Sequence, residues 1–117
     1  MTEQPLIETR ALEAALQQFA DERDWQRFHT PRNLMLALTG EVGELAEIFQ
    51  WLTDEEVSTL AEDRARFTHL QEEVADVLLY LVRLASVMQL DINAAVTDKL
   101  RKNAAKYPAP LANPQRT

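Results

Sequence analysis

Four acidic residues form two pairs with the same spacing, Glu41 with Glu44 and Glu73 with Asp76. Each pair begins a stretch of the same kind: Glu, Val, a small residue, an acid and an aliphatic residue. Residues three apart share one face of a helix, so two such helices packed antiparallel would bring four carboxylates together. Oxygen ligands in that number suit Mg²⁺, or alternatively Mn²⁺, whereas zinc prefers histidine and cysteine. The spacing therefore predicts a divalent metal site with these four ligands.

The acids of the first pair do not lie on an ordinary solvated helix face. On a helical wheel of about 100° per residue, Glu41 falls inside an apolar stripe that includes Leu34 and Leu38. Glu44 lies at the border of that stripe, and Glu47 lies on the opposite side, where we expect it to be solvated. A carboxylate on a buried face is costly unless it is protonated, paired or bound to a metal.

The helix of the second pair is apolar nearly all round from Val74 to Leu84. Its polar residues nevertheless form a single strip of Glu73, Asp76, Tyr80 and Arg83. A helix of this kind belongs in the middle of a bundle, which would again bury the acids in part.

Three other interpretations compete with a magnesium site. A Glu-x-x-Glu pair alone is common as a solvated pair on a helix surface. A carboxylate-bridged di-iron bundle needs Glu-x-x-His pairs, and neither His29 nor His69 stands at that spacing. In a non-enzymatic, oligomeric helical interaction module, the acids would instead form interhelical salt bridges with Arg83 or Lys99.

Basic and aromatic residues could serve a phosphorylated ligand. Lys99, Lys102, Asn103 and Lys106 share one face of the last predicted helix, where they could hold phosphates or simply complement the helix dipole. A nucleoside triphosphate carries about four negative charges, so divalent cations must bridge it to the acids. The cations would also lower the pKa of the water that attacks phosphorus. The candidates for stacking on a base are Trp25, Phe28, Trp51 and Tyr80. Each of these aromatic residues could instead be part of the core.

Composition limits the class of protein. The chain has 117 residues, enough for one domain, and a net charge of -7, which disfavours a nucleic-acid polymer as partner. It has no cysteine, and its apolar runs are shorter than the roughly 20 residues that span a bilayer. The opening segment lacks the basic start and apolar core of a signal peptide. We expect a soluble cytoplasmic protein with no membrane partner.

The hydrophobic periodicity predicts an all-α, four-helix-bundle-type domain. The first helix is expected from about Pro5 to Asp24. Thr30, as N-cap, and Pro31 begin the second, which should reach about Leu52. These predictions set the limits of the first acidic helix.

Cap signals also define the later elements. Residues 53–56 form a capping box for a short turn, and Ser58 can cap the next helix, expected over about 59–89. Asp91 should cap a fourth helix from Ile92 to about Lys106. The domain is assigned to residues 1–108, and residues 109–117 are expected to be a disordered tail.

Taken together, the motifs resemble the MazG-like all-α nucleotide pyrophosphohydrolases, within them the dCTP pyrophosphatase branch, over roughly residues 19–108. The residues that carry the resemblance are Asp24-Trp25, Phe28-His29, Pro31-Arg32-Asn33-Leu34, Glu41-Val42-Gly43-Glu44-Leu45-Ala46-Glu47, Phe49-Gln50-Trp51, Glu72-Glu73-Val74-Ala75-Asp76-Val77-Leu78, Tyr80-Leu81, Lys99, Asn103 and Lys106-Tyr107-Pro108. The segment between Leu52 and Thr68 is variable in such proteins. The resemblance supplies no role for Arg83.

The resemblance implies an enzyme that cleaves a nucleoside triphosphate between the α- and β-phosphates, giving the monophosphate and pyrophosphate. It implies that Mg²⁺ is bound by Glu41, Glu44, Glu73 and Asp76. The expected substrate-binding residues are Trp25, His29, Trp51, Tyr80, Lys99 and Asn103. It also implies a homo-oligomer, a dimer or a dimer of dimers.

We therefore expect hydrolysis of dCTP or a modified dCTP in housecleaning of the nucleotide pool, with Glu41 or Glu44 as general base. The alternative is a related enzyme that acts on dUTP, a purine or an oxidised nucleotide. The cytosine preference follows from the resemblance alone.

Overall fold

The computed structural model describes residues 4–110, and its long elements are all helices. The helices are α1 (Arg10–Glu22), α2 (Pro31–Phe49), the short α3 (Asp54–Ser58), α4 (Arg64–Val87) and α5 (Ile92–Lys106), with 3-10 turns at Gln26–Phe28 and Leu60–Glu62. The all-α prediction with four long helices is confirmed. None of the described helices combines the length and the apolar character needed to cross a membrane.

Local hydrogen bonds explain why the helices begin where the caps predicted. The Thr30 hydroxyl accepts from the backbone N–H of Asn33, ahead of Pro31. Thr53 and Glu56 form both bonds of the predicted capping box, at 3.1 and 2.9 Å. Asp91 caps α5 as predicted, and the helix has the predicted bounds.

The predicted start of the first helix was wrong. The backbone N–H groups of Leu6 and Ile7 donate to Asn93 Oδ1 on α5, at 2.8 and 3.2 Å. Because these donors bond to a distant side chain, the segment before the first helix lies along α5. The helix α1 therefore begins only at Arg10. Asp24 lies in the left-handed region, with φ of 54°, which ends α1 at about the predicted place.

The limits of the second and third predicted helices also need correction. The second ends at Phe49 rather than Leu52. Ser58 does not cap the next helix, because its hydroxyl donates to the Glu55 carbonyl at 2.6 Å. Instead Asp63 is the N-cap of α4 and accepts from the Arg66 N–H at 3.2 Å. The predicted tail from residue 109 falls largely outside the described residues.

The two helices that carry the acids pack on each other more extensively than any other pair, and α1 packs on α4. They are antiparallel: His29, just before α2, bonds to Arg83 near the end of α4, while Trp51, just after α2, shares a cleft with Arg66 near the start of α4. The buried apolar residues are Ala20, Leu34, Leu38, Leu60, Val82 and Ala85. In contrast, α5 makes few contacts with the other helices.

Candidate active site

Three carboxylates from facing helices converge in the middle of the α2–α4 pair. Glu41 on α2 and Glu73 and Asp76 on α4 each offer an oxygen, and the three oxygens lie within 4.8 Å of one another. The i,i+3 spacing on α4 places Glu73 and Asp76 on the face that meets α2. The predicted convergence is thus observed for these three acids.

Burial makes this cluster electrostatically unfavourable without a cation. Glu73 is only 8% exposed, and Glu41 is half-buried. One oxygen of each, Oε2, is buried and has no hydrogen-bond partner among residues 4–110. Each group carries several acceptor sites when ionised, so the unbonded oxygens are available to a ligand that the described part of the chain does not provide.

The same environment raises the pKa of two of these acids. Burial, followed by the negative charges of Glu44 and Asp76, raises the pKa of Glu41 to about 7. Burial and then the charge of Glu44 raise the pKa of Glu73, while nearby His69 acts in the opposite direction. Bringing several carboxylates together in a partly buried place thus disfavours the charged forms, as like charges do. A divalent cation would reverse this penalty.

Glu44 lies beside this group but outside the mutual 4.8 Å set of the other three. Its side chain is exposed, and its charge acts on both Glu41 and Glu73. Glu47 is exposed, as the helical wheel predicted. It nevertheless lies at the outer wall of the adjoining cleft.

An open cleft of about 680 Å³ leads from the acids along the end of α2 and the start of α4. Trp51 is 84% exposed in it, which is unusual for an indole and leaves its ring free to stack on a ligand. The lining residues are Glu44, Glu47, Ile48, Trp51, Leu52, Ala65, Arg66, His69 and Glu73. Arg66 and His69 were missed by sequence reasoning, although the position of His69 one helical turn before Glu73 could have indicated it.

The other predicted substrate-binding residues lie in two further places. Trp25 packs edge-on against His29, with 6.4 Å between ring centroids, and Tyr80 is half-buried one turn after Asp76 on α4. Lys99 and Asn103 lie on α5 and do not line the cleft beside the acids. The structure of one chain therefore does not bring all six predicted residues together.

Arg83 does not neutralise the acids. Its Nε donates to His29 Nδ1 at 3.0 Å, and its Nη1 donates to Gln17 Oε1 at 2.9 Å. Within the part of the chain that the structure describes, neither Arg83 nor Lys99 forms a salt bridge with the acidic cluster. The interhelical salt bridges expected of a purely structural module are thus not observed there.

Known proteins with similar sequences are dCTP pyrophosphatases. The chain is 54% identical over 95 residues to dCTP pyrophosphatase 1 of Homo sapiens. The matched region covers 81% of this chain and 56% of the human protein. It is 49% identical over 111 residues to dCTP pyrophosphatase 1 of Bos taurus, covering 95% of this chain and 64% of the bovine protein. The match thus spans less than two thirds of the length of these relatives.

A solved structure and a family model agree with these relatives. The crystal structure of a pyrophosphatase from Archaeoglobus fulgidus superposes with a TM-score of 0.78 at 39% identity, covering 93% of this chain and 100% of that one. The model of the MazG-like family matches residues 37–114, which include both acidic pairs. The chain therefore belongs to the MazG-like family.

Proposed function

We propose that this chain is a Mg²⁺-dependent nucleoside triphosphate pyrophosphohydrolase that converts a dNTP and water into the dNMP and pyrophosphate. The observation that carries the proposal is the buried carboxylate cluster with unbonded oxygens on Glu41 and Glu73. The names of the relatives, dCTP pyrophosphatases, support dCTP or a modified dCTP as substrate. A role in cleaning the nucleotide pool would place the enzyme in the cytoplasm.

The donor set fits Mg²⁺, or alternatively Mn²⁺. Glu41, Glu73 and Asp76 would hold the ion, with Glu44 beside them, and all their donors are hard oxygens. When bound, the ion neutralises charge between the acids and the triphosphate and lowers the pKa of water. Without it, the acids would repel a substrate that carries about four negative charges.

Glu44 is the better placed of the two candidate general bases. Its exposed carboxylate lines the cleft, whereas Glu41 lies within the three-carboxylate group. Glu44 can therefore take the proton from the attacking water at Oε1 or Oε2 while Glu41, Glu73 and Asp76 remain with the cation. In the proposed step the water oxygen forms a bond to the α-phosphorus, and the bond between the α-phosphorus and the oxygen that bridges to the β-phosphate breaks. One proton of the water goes to Glu44, and the bridging oxygen leaves with its electron pair as part of pyrophosphate.

Aromatic residues would hold the base. Trp51 offers a free indole in the cleft, and Trp25 with His29 forms a second aromatic surface at the start of α2. We assign base contacts to these three and to Tyr80. Stacking on such rings is tolerant of base identity, so selection of cytosine would require polar contacts in addition.

Assembly with further copies of the chain is part of the proposal. A groove of about 580 Å³ between α4 and α5 is lined by apolar side chains, and Leu81 and Met88 in it are 47% and 57% exposed. Such a patch on a small chain marks an interface. We propose that a second copy covers it, in a dimer or a dimer of dimers. Because Lys99 and Asn103 do not line the cleft beside the acids of their own chain, their contact with nucleotide would depend on this assembly.

The substrate is tested by a panel of dCTP, 5-methyl-dCTP, dUTP and dATP with Mg²⁺, with products separated by ion-exchange chromatography. We expect dCMP or 5-methyl-dCMP and pyrophosphate in equal amounts, and the highest kcat/KM for a cytosine nucleotide. A higher kcat/KM for dUTP or dATP would support the alternative base preference. Release of inorganic phosphate in place of pyrophosphate would overturn the proposed reaction.

A further inference from the structure

Arg83 is a buried cation whose partners are neutral. The residue is only 4% exposed on α4, yet its hydrogen-bond acceptors among residues 4–110 are His29 Nδ1 and Gln17 Oε1. Gln17 in turn donates to Asp21 at 2.8 Å, so a carboxylate is reached only through the amide. A buried charge is costly when no acid pairs with it directly. This arrangement is outside the proposed metal site and calls for its own explanation.

The chemistry of the Arg83–His29 bond fixes the proton on the imidazole. A guanidinium only donates hydrogen bonds and stays protonated in proteins. His29 Nδ1 accepts from it at 3.0 Å and must therefore carry a lone pair. The neutral ring then has its single proton on Nε2, so the remaining polar edge of His29 is a hydrogen-bond donor.

The surroundings of His29 also favour a neutral ring. Burial and then the positive charge of Arg83 lower the pKa of His29, which keeps the ring neutral. The ring packs edge-on against Trp25, which packs edge-on against Phe19 with 5.6 Å between centroids. A base stacked on the Trp25 indole would thus lie beside an imidazole of fixed tautomer.

We propose that Arg83 is a positioning residue that holds His29 as an Nε2–H donor for a hydrogen-bond acceptor on the nucleotide base. The acceptor class is a ring nitrogen or a carbonyl oxygen, both of which cytosine presents on its pairing edge. The base contact rests on the proposed function, whereas the tautomer does not. Arg83 would act on the substrate only through His29.

The tautomer is tested first, by ¹⁵N NMR of histidine-labelled full-length chain without nucleotide. We expect His29 with an unprotonated Nδ1 and a protonated Nε2 in the native chain and in Gln17→Ala, which removes the other bond of Arg83 and the Gln17–Asp21 bond but leaves the Arg83–His29 bond. In Arg83→Met we expect a mixture of tautomers. An Nδ1–H tautomer in the native chain, or an unchanged signature in Arg83→Met, would overturn the proposal.

Kinetics tests the base contact. Loss of one hydrogen bond predicts a KM for dCTP raised roughly three- to tenfold in Arg83→Met, with kcat within about twofold and no comparable rise in Gln17→Ala. His29→Gln, whose amide N–H can replace Nε2–H, should keep a lower KM than His29→Asn, whose amide reaches only the Nδ1 position. This comparison leaves Arg83 intact, so it decides the donor role of His29 even if Arg83→Met does not fold.

Equal KM values for His29→Gln and His29→Asn would overturn the donor role. Absence of activity on every triphosphate would overturn the proposed function and the base contact with it. The NMR result would still show whether Arg83 sets the His29 tautomer, so the two failures can be told apart.

Discussion

Glu41 on α2 and Glu73 on α4 present carboxylate oxygens within 4.8 Å of each other, and Oε2 of each residue is buried without a hydrogen-bond partner among residues 4–110. Two like charges at this separation in a partly buried place are unfavourable. The pair is therefore explained best as a site that is completed by a cation.

Without metal, the stability of the protein should fall as pH rises through the range in which Glu41 ionises. The pKa of Glu41 is raised from 4.5 to about 7, so between these values the folded chain binds more protons than the unfolded chain. The free energy of unfolding then decreases with rising pH in this window. At pH 8 in EDTA, Glu41→Gln should unfold at a higher urea concentration than the native chain. At pH 5 the two chains should unfold at similar urea concentrations.

A difference between Glu41→Gln and the native chain that is the same at both pH values would contradict this account. Glu55→Gln is the control, since Glu55 is an exposed acid on α3 that does not line the cleft. It should unfold at the same urea concentration as the native chain at each pH.

Mg²⁺ binding should strengthen with pH over the same range. Because Glu41 must lose its proton to bind the ion, the affinity should rise steeply below about pH 7 and level off above it, so that it is higher at pH 8 than at pH 6. Calorimetry in two buffers of different ionisation enthalpy should show proton release at the lower pH. Equal affinity at pH 6 and pH 8 would mean that Glu41 is not a ligand.

The N-cap of α4 predicts different losses of stability for substitutions at Asp63 and Ser58. Asp63→Ala should lower the free energy of unfolding by about 1 kcal/mol, because Asp63 accepts from the Arg66 N–H. Ser58→Ala should cost less, because that hydroxyl caps no helix start. Urea denaturation of both variants measures the difference. A larger loss in Ser58→Ala would contradict the observed helix limits.

The groove between α4 and α5 should be covered by another copy in solution. Leu81→Glu, which places a charge among apolar side chains, should shift the chain to a smaller species in light scattering coupled to size exclusion. Gln18→Glu adds the same charge at an exposed position of α1 and should leave the mass unchanged. A native chain that is monomeric at all concentrations would contradict the proposed assembly.

Local signals in the sequence were sufficient for the caps of α2, α3 and α5 and for the three converging acids. Thr30, Thr53 and Asp91 act through bonds to residues three positions away, and the acids follow from helical spacing. The start of α1 was not predictable in this way, because Leu6 and Ile7 bond to a residue 87 and 86 positions along the chain.

The same limit applies to the remainder of the site. Arg83 meets His29 and Gln17 across 54 and 66 positions, and no local periodicity of Gln17 indicates this contact. Lys99 shares a helix face with other basic residues, but helical spacing alone does not predict which groups outside α5 it contacts. That depends on how α5 packs on the rest of the fold.

The central claim is that the carboxylate cluster makes the chain a metal-dependent pyrophosphohydrolase. The most direct measurement is pyrophosphate release from dCTP at increasing Mg²⁺, for the native chain, Asp76→Asn and the control Glu55→Gln, with folding checked by circular dichroism. We expect release that requires Mg²⁺ in the native chain and in Glu55→Gln, and at least about a hundredfold loss in Asp76→Asn. Undiminished release in folded Asp76→Asn, or equal release in EDTA, would contradict the account.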